Sequence, residues 1–128
     1  MISLSPIGEK QQIKEYFCNV GIAFNENCGC LTAVSNDEVL GFCLYELTVD
    51  KIEILYIYPE NDIALADGIL RSTLHIAAQR SIMKAYYAEK VSKKFLKITD
   101  FIKNEQNREL DIDKLFKSCQ SCQKSIDK

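Results

Sequence analysis

The stretch KIEILYIYPENDIALADGIL, Lys51 to Leu70, changes its hydrophobic period halfway, and that change decides the fold. Its first part, Lys51 to Tyr58, is dense in β-branched and aromatic residues and reads as a strand. Pro59 stops it, because a residue with fixed φ and no N–H favours a strand end. Beyond it Ile69, Leu70, Thr73, Leu74, Ala77 and Ala78 form one apolar stripe, which predicts a helix from about Ile63 to Arg80. A further strand is expected at Ile82 to Ala88. Strand, long helix and strand make a crossover unit, so the strands around Tyr56 and Tyr86 are expected to run parallel.

Working outward, Leu31 to Val34 and Val39 to Leu47 read as two strands joined by the turn signal Ser35-Asn36-Asp37-Glu38. With Lys51 to Tyr58 they make a three-strand meander. Before them, Ile2 to Ile7 reads as a first strand, and Ile13, Phe17 and Val20 mark an amphipathic helix that ends near Gly21. Downstream, one helix is expected over Lys93 to Ile102 and another from about Asp111, carrying Ile112, Leu115, Phe116 and Cys119 on one stripe. The polar segment Lys103 to Glu109 reads as a connection too short to separate a domain. The expected architecture is an α/β (α+β) domain, with a mixed, mostly antiparallel sheet over residues 1–108 and a helical extension of the same domain over residues 109–128.

A chain of 128 residues, 47% of them hydrophobic, suits one core rather than two. Its net charge of -2 gives no reason to expect nucleic acid or an anionic membrane as partner. The charge is unevenly spread: residues 1–64 sum to -7 and residues 65–128 to +5, which allows a positive face toward an anionic ligand or simply solvated surfaces. No apolar stretch reaches the length of a membrane span or of a signal sequence, so a cytoplasmic protein with reduced thiols is expected.

Element order and local motif together resemble the GNAT acyltransferase family over roughly residues 1–102. The likeness rests on Leu55-Tyr56-Ile57-Tyr58-Pro59 and the helix that follows. In that family a loop of pattern Gln/Arg-x-x-Gly-x-Gly/Ala precedes paired leucine-like residues, here Ile69 and Leu70. Counting back puts Asn61 at the Gln/Arg position, Ala64 at the first Gly and Ala66 at the Gly/Ala position, and only Ala66 fits. The loop's backbone N–H groups, aided by the helix dipole, would hold the pyrophosphate of acetyl-CoA or another acyl-CoA. The resemblance thereby implies cofactor contacts at Asn61, Asp62, Ile63, Ala64, Leu65 and Ala66. It also implies them at Leu55 and Ile57, through backbone pairing with the pantetheine arm, and at Lys93 near the following helix. Asp62 has two readings: it caps its own helix, or it turns aside for a phosphate.

Within the same resemblance, Phe95-Leu96-Lys97-Ile98-Thr99-Asp100-Phe101 stands where the family has Phe-Tyr-x-x-x-Gly-Phe, with Leu96 replacing the Tyr that often protonates the leaving thiolate. Acyl transfer to an amine needs a base, and Glu53 is the candidate: the family commonly places a Glu on this strand, and Ile52 and Ile54 flank it. The plain alternative makes Glu53 the solvent-facing member of an alternating strand. The acceptor would be a small-molecule or peptide amine, and exposed sheet edges allow a homodimer.

Two cysteine pairs give a rival signal. Cys28-Gly29-Cys30 and Cys119-Gln120-Ser121-Cys122 are able to staple the tail to the first hairpin through zinc, although the second pair also lies on an apolar helical stripe, and no metal ligands are assigned. Cys18 and Cys43 read as core residues, and His75 as structural. The resemblance thus implies an acyl-CoA-dependent N-acyltransferase. Its alternatives are a non-catalytic domain of the same fold that binds a partner or small ligand, and a zinc-stapled interaction module.

Overall fold

The computed structural model describes residues 2–115. The chain runs β1 (Ser3–Pro6), α1 (Lys10–Val20), β2 (Cys28–Ser35), β3 (Glu38–Leu47), β4 (Ile52–Tyr58), α2 (Ile63–Gln79), β5 (Ala85–Tyr87), α3 (Lys93–Ile98), β6 (Ile102–Asn104) and β7 (Glu109–Leu110). The strands form one sheet in the order β1-β2-β3-β4-β5-β7-β6. Only β4 and β5 pair in parallel, as the crossover through α2 requires; the other neighbours are antiparallel. The hairpin between β2 and β3 turns on Asn36 and Asp37, both at positive φ (51° and 65°). That is the twist a two-residue connection needs, and Asn and Asp tolerate it.

Alternation along the central strands divides the apolar residues between the two faces of the sheet. Leu31, Ala33, Cys43, Tyr45, Ile52 and Ile54 join the core under α2 and α3, whereas Cys30 and Leu44 join Ile13 and Phe17 of α1 on the other face. α2 buries Ala66, Ile69, Leu70, Thr73, Leu74 and Ala77, a stripe at spacings of three and four. Each fully buried Leu or Ile stabilises the fold by about 1.5–3 kcal/mol. The Thr73 hydroxyl, inside this stripe, donates to the Ile69 carbonyl at 2.8 Å and so carries no unmet polar group into the core.

The second half departs from the sequence expectation at its element ends. The strand expected over Ile82 to Ala88 is three residues long, Ala85–Tyr87, and its expected first residue belongs to the closing turn of α2: Ser81 turns left-handed (φ 62°) and the Ile82 N–H closes onto the Ala77 carbonyl at 2.9 Å. α3 stops at Ile98 rather than Ile102, since Asp100 is left-handed (φ 60°) and the Phe101 N–H returns to the Leu96 carbonyl at 3.0 Å. Lys103 to Glu109 is no plain connection: it turns between β6 and β7. Glu109 and Leu110 belong to the sheet, pairing with Tyr86 and Ala85, so helix does not begin there. Of the helix expected from about Asp111, the part beyond Leu115, with Phe116, Cys119 and Cys122, lies outside the described residues. Among the described residues no helix is long and apolar enough to cross a membrane.

Candidate functional site

β4 and β5 pair only through Ile52, Glu53 and Ile54, opposite Ala85, Tyr86 and Tyr87. The Ala88 N–H donates to the Ile54 carbonyl at 2.8 Å, and the chain then turns away, the Val91 N–H returning to the Ala88 carbonyl at 3.1 Å. β4 continues to Tyr58, still paired with β3. Residues 55–58 therefore have a strand on one side and, with no strand beside them there among the described residues, an open seam on the other. At the head of the seam the register with β3 passes from Ile54 directly to Tyr56. Leu55 is thus the extra residue of a bulge, a device that bends a strand and leaves a residue out of the ladder.

The seam leads to the start of α2. Asp62 is the N-cap: its Oδ1 accepts from the Leu65 N–H at 3.2 Å, and its carbonyl accepts from the Ala66 N–H at 2.9 Å. The N–H groups of Ile63 and Ala64 have no acceptor within the helix, as helix geometry dictates for a first turn. A cleft of about 450 Å³ opens between this turn and α3, lined by Glu60, Asn61, Ile63, Ser92, Lys94 and Phe95 among others. Of the residues expected to contact a cofactor, Leu55 and Ile57 lie on the seam, and Asn61, Asp62, Ile63, Ala64 and Leu65 gather at the helix start. Ala66 is wholly buried in the core with its N–H already used. Lys93 lies at the start of α3, its ammonium 3.5 Å from the Glu105 carboxylate, and it is Lys94 that lines the cleft.

Glu53 is half-buried on the α1 side of the sheet, the face opposite Ile52 and Ile54. Its register partners are Glu46 on β3 and Tyr86 on β5, and Tyr86 is in turn paired with Glu109 on β7. Side chains that are directly opposite share a face, so this row sets carboxylates side by side, an arrangement that disfavours itself without a cation nearby. Glu46 accepts from the Asn25 amide at 2.7 Å, and the Lys51 ammonium lies 5.7 Å from the centre of the Tyr86 ring. The row was hidden from sequence reasoning, because Glu46 meets Glu53, and Glu109 joins the row across Tyr86, only through strand register.

On the other face Leu96 is fully buried, a hydrocarbon with no proton to give. Tyr87, paired with Ile54 where the strands part, is 1% exposed, and its hydroxyl has no hydrogen-bond partner among the described residues. A buried hydroxyl left unmade is unfavourable, so the end of the paired region carries unused hydrogen-bonding capacity. With the open backbone of residues 55–58 and the free N–H groups of Ile63 and Ala64, it gives a seam whose residues fit a pantetheine thioester such as acyl-CoA. Lys90 is committed elsewhere, its ammonium donating to the Val20 carbonyl at 3.2 Å, and His75 is exposed on α2. The Cys28 thiol accepts from the Asn25 N–H at 3.4 Å, and burial, the largest effect, raises its pKa. Among the described residues no group of three or more His, Cys, Asp or Glu side chains is placed to hold a metal.

No protein-family model matches the sequence, and no curated protein is similar to it at a significant level. Solved structures are similar in fold. A predicted acetyltransferase from Clostridium acetobutylicum, solved with acetyl-CoA, superposes with a TM-score of 0.59 at 16% identity, over 88% of this chain and 97% of that one. The ribosomal-protein-S18-alanine N-acetyltransferase of Escherichia coli gives 0.59 at 10% identity, over 85% and 88%. A GNAT acetyltransferase from Elizabethkingia anophelis with acetyl-CoA bound gives 0.54 at 14% identity, over 77% and 72%. The seven-stranded sheet, its parallel β4–β5 pair and these superpositions together show that the chain has the GNAT acetyltransferase fold.

Proposed function

We propose that this chain transfers an acyl group from acyl-CoA to an amine. The observation that carries the reading is the seam, where β4 presents residues 55–58 with no partner strand on the β5 side among the described residues, and leads to the first-turn N–H groups of α2. An extended pantetheine arm can add to such an edge as a strand does, through backbone bonds nearly independent of side chain. The Ile63 and Ala64 N–H groups, with the positive end of the α2 dipole behind them, would hold the phosphates. When bound, acyl-CoA supplies an acyl group already activated as a thioester.

Glu53 takes the proton of the incoming amine, directly or through one water. Glu46 beside it favours an ammonium over a neutral acceptor on the α1 face, and so holds the amine where Glu53 reaches it. Leu96 supplies no acid for the leaving thiolate. That fact and the capped helix start favour the rival reading, a non-catalytic domain of the same fold.

Calorimetry with acetyl-CoA separates the two: heat at micromolar to millimolar cofactor supports the acyltransferase, and none at millimolar cofactor removes it. Glu53→Gln is then expected to lower turnover with primary amines by about 100-fold, as the loss of a general base does, while cofactor affinity holds. Thiol release measured over a panel of amines reads the effect, and an unchanged rate takes Glu53 out of the chemistry.

A further inference from the structure

The α2 N-terminus already holds an anion, and it is the chain's own. The Asp62 carboxylate sits on the first turn, bound to the Leu65 N–H at 3.2 Å, beside the Ile63 and Ala64 N–H groups that a diphosphate entering along the seam would need. Two further features work against a second anion here. Asn61 stands between two carboxylates, Glu60 and Asp62, with no charge of its own. The nearest arginine along α2, Arg71, is tied to Asp67 at 2.9 Å, one turn further on. The seam itself asks for no charge, since residues 55–58, Leu-Tyr-Ile-Tyr, include no Asp, Glu, Lys or Arg.

We infer that Asp62 is a resident competitor for the phosphate seat, so that the chain selects its acyl donor by the thioester arm and not by the nucleotide. The donor class is then pantetheine thioesters at large, with the diphosphate adding little. This rests on the acyltransferase reading and sharpens it. Two effects are superposed at Asp62: the carboxylate occupies one N–H, and its charge repels phosphate. At ordinary separations and effective dielectric either effect is worth about tenfold in affinity.

Two substitutions pull them apart. Asp62→Asn keeps the cap, since Asn accepts the same bond, and removes only the charge; Asp62→Gly removes the charge and frees the Leu65 N–H at a small loss of stability. The experiment is calorimetric titration of the full chain and both variants with CoA and, separately, with pantetheine, which has no phosphate. The wild type is expected to bind the two ligands within about threefold of each other. Asp62→Asn is expected to bind CoA about tenfold more tightly, and Asp62→Gly at least as tightly, with pantetheine unchanged in both. A wild type that prefers CoA by more than about thirtyfold, or variants that gain nothing for CoA, would overturn the inference and leave the acyltransferase reading standing. If none of the three proteins binds either ligand, both fall together.

Discussion

Cys43 lies wholly buried under α2, and burial pushes its thiol up to about 12, with a hydrogen bond to Thr73 pulling weakly the other way. In the unfolded chain the same thiol titrates near 9.0. Between those values the unfolded state loses the proton and the folded state keeps it, so stability falls as pH rises; below 9.0 this group adds no pH dependence. Going from pH 8 to pH 10 is expected to remove about 1.4 kcal/mol through Cys43 alone, as read by urea unfolding at the two values. Cys43→Ala is expected to be less stable at both, because a buried group is lost, and to show a pH drop smaller by that amount. An unchanged drop would assign it to another group. Cys43 was legible as core from its apolar neighbours. Asp62 was not legible in the same way: a carboxylate one residue before an apolar helix reads as a cap or as a residue beside a ligand, and only the backbone, with φ at -102° and the Leu65 N–H aimed at Oδ1, makes it the cap.

Helix ends show why parts of the fold escaped the sequence. Each helix closes in the same way. A residue at positive φ (Gly21 at 74°, Ser81 at 62°, Asp100 at 60°) is followed by an apolar residue whose N–H returns to a carbonyl five positions back: Ile22 to Phe17, Ile82 to Ala77, Phe101 to Leu96. Glycine announces such an end because it alone enters this region without penalty, and Gly21 duly marked the end of α1. Ser81 and Asp100 carry no such signal, and the apolar period runs on past them through Ile82 and Ile102, so one strand was drawn too long and α3 continued into β6. β6 and β7 are three and two residues long, too short to show alternation at all. Ser81→Gly should relieve the left-handed strain and stabilise the protein by about 1 kcal/mol. The measurement is a higher urea midpoint at an unchanged slope; a lower midpoint would mean that the Ser81 side chain contributes more than its backbone costs.

At the scale of the molecule the sheet separates two tasks by face. α1 covers one side, where Glu46 and Glu53 meet; α2 and α3 cover the other, where Tyr87 and Leu96 are buried. The second half of the chain carries most of the lysines, of which Lys93, Lys97 and Lys103 lie within 4 Å of Glu105 or Glu109. The crossover and the meander were legible from hydrophobic period, whereas a phosphate loop at residues 61–66 was only what the family resemblance implied. The seam was not legible, because where two strands stop pairing depends on how soon β5 ends, and that is set by the turn at Ala88 to Val91 rather than by any residue of β4. Amide hydrogen exchange tests the seam directly. Ile54 and the residues before it lie between two strands and should exchange only through global opening, whereas amides among residues 55–58 that face the seam should exchange through local fluctuation. Saturating pantetheine should slow exchange in 55–58 by about 100-fold if the arm adds as a strand, by the same linkage that raises stability when a ligand binds the closed form alone. Protection that appears instead at the α2 start, with 55–58 unchanged, would mean that the ligand is held by the helix and not by the strand edge, and would move the donor site from the seam to the cleft beside Lys94.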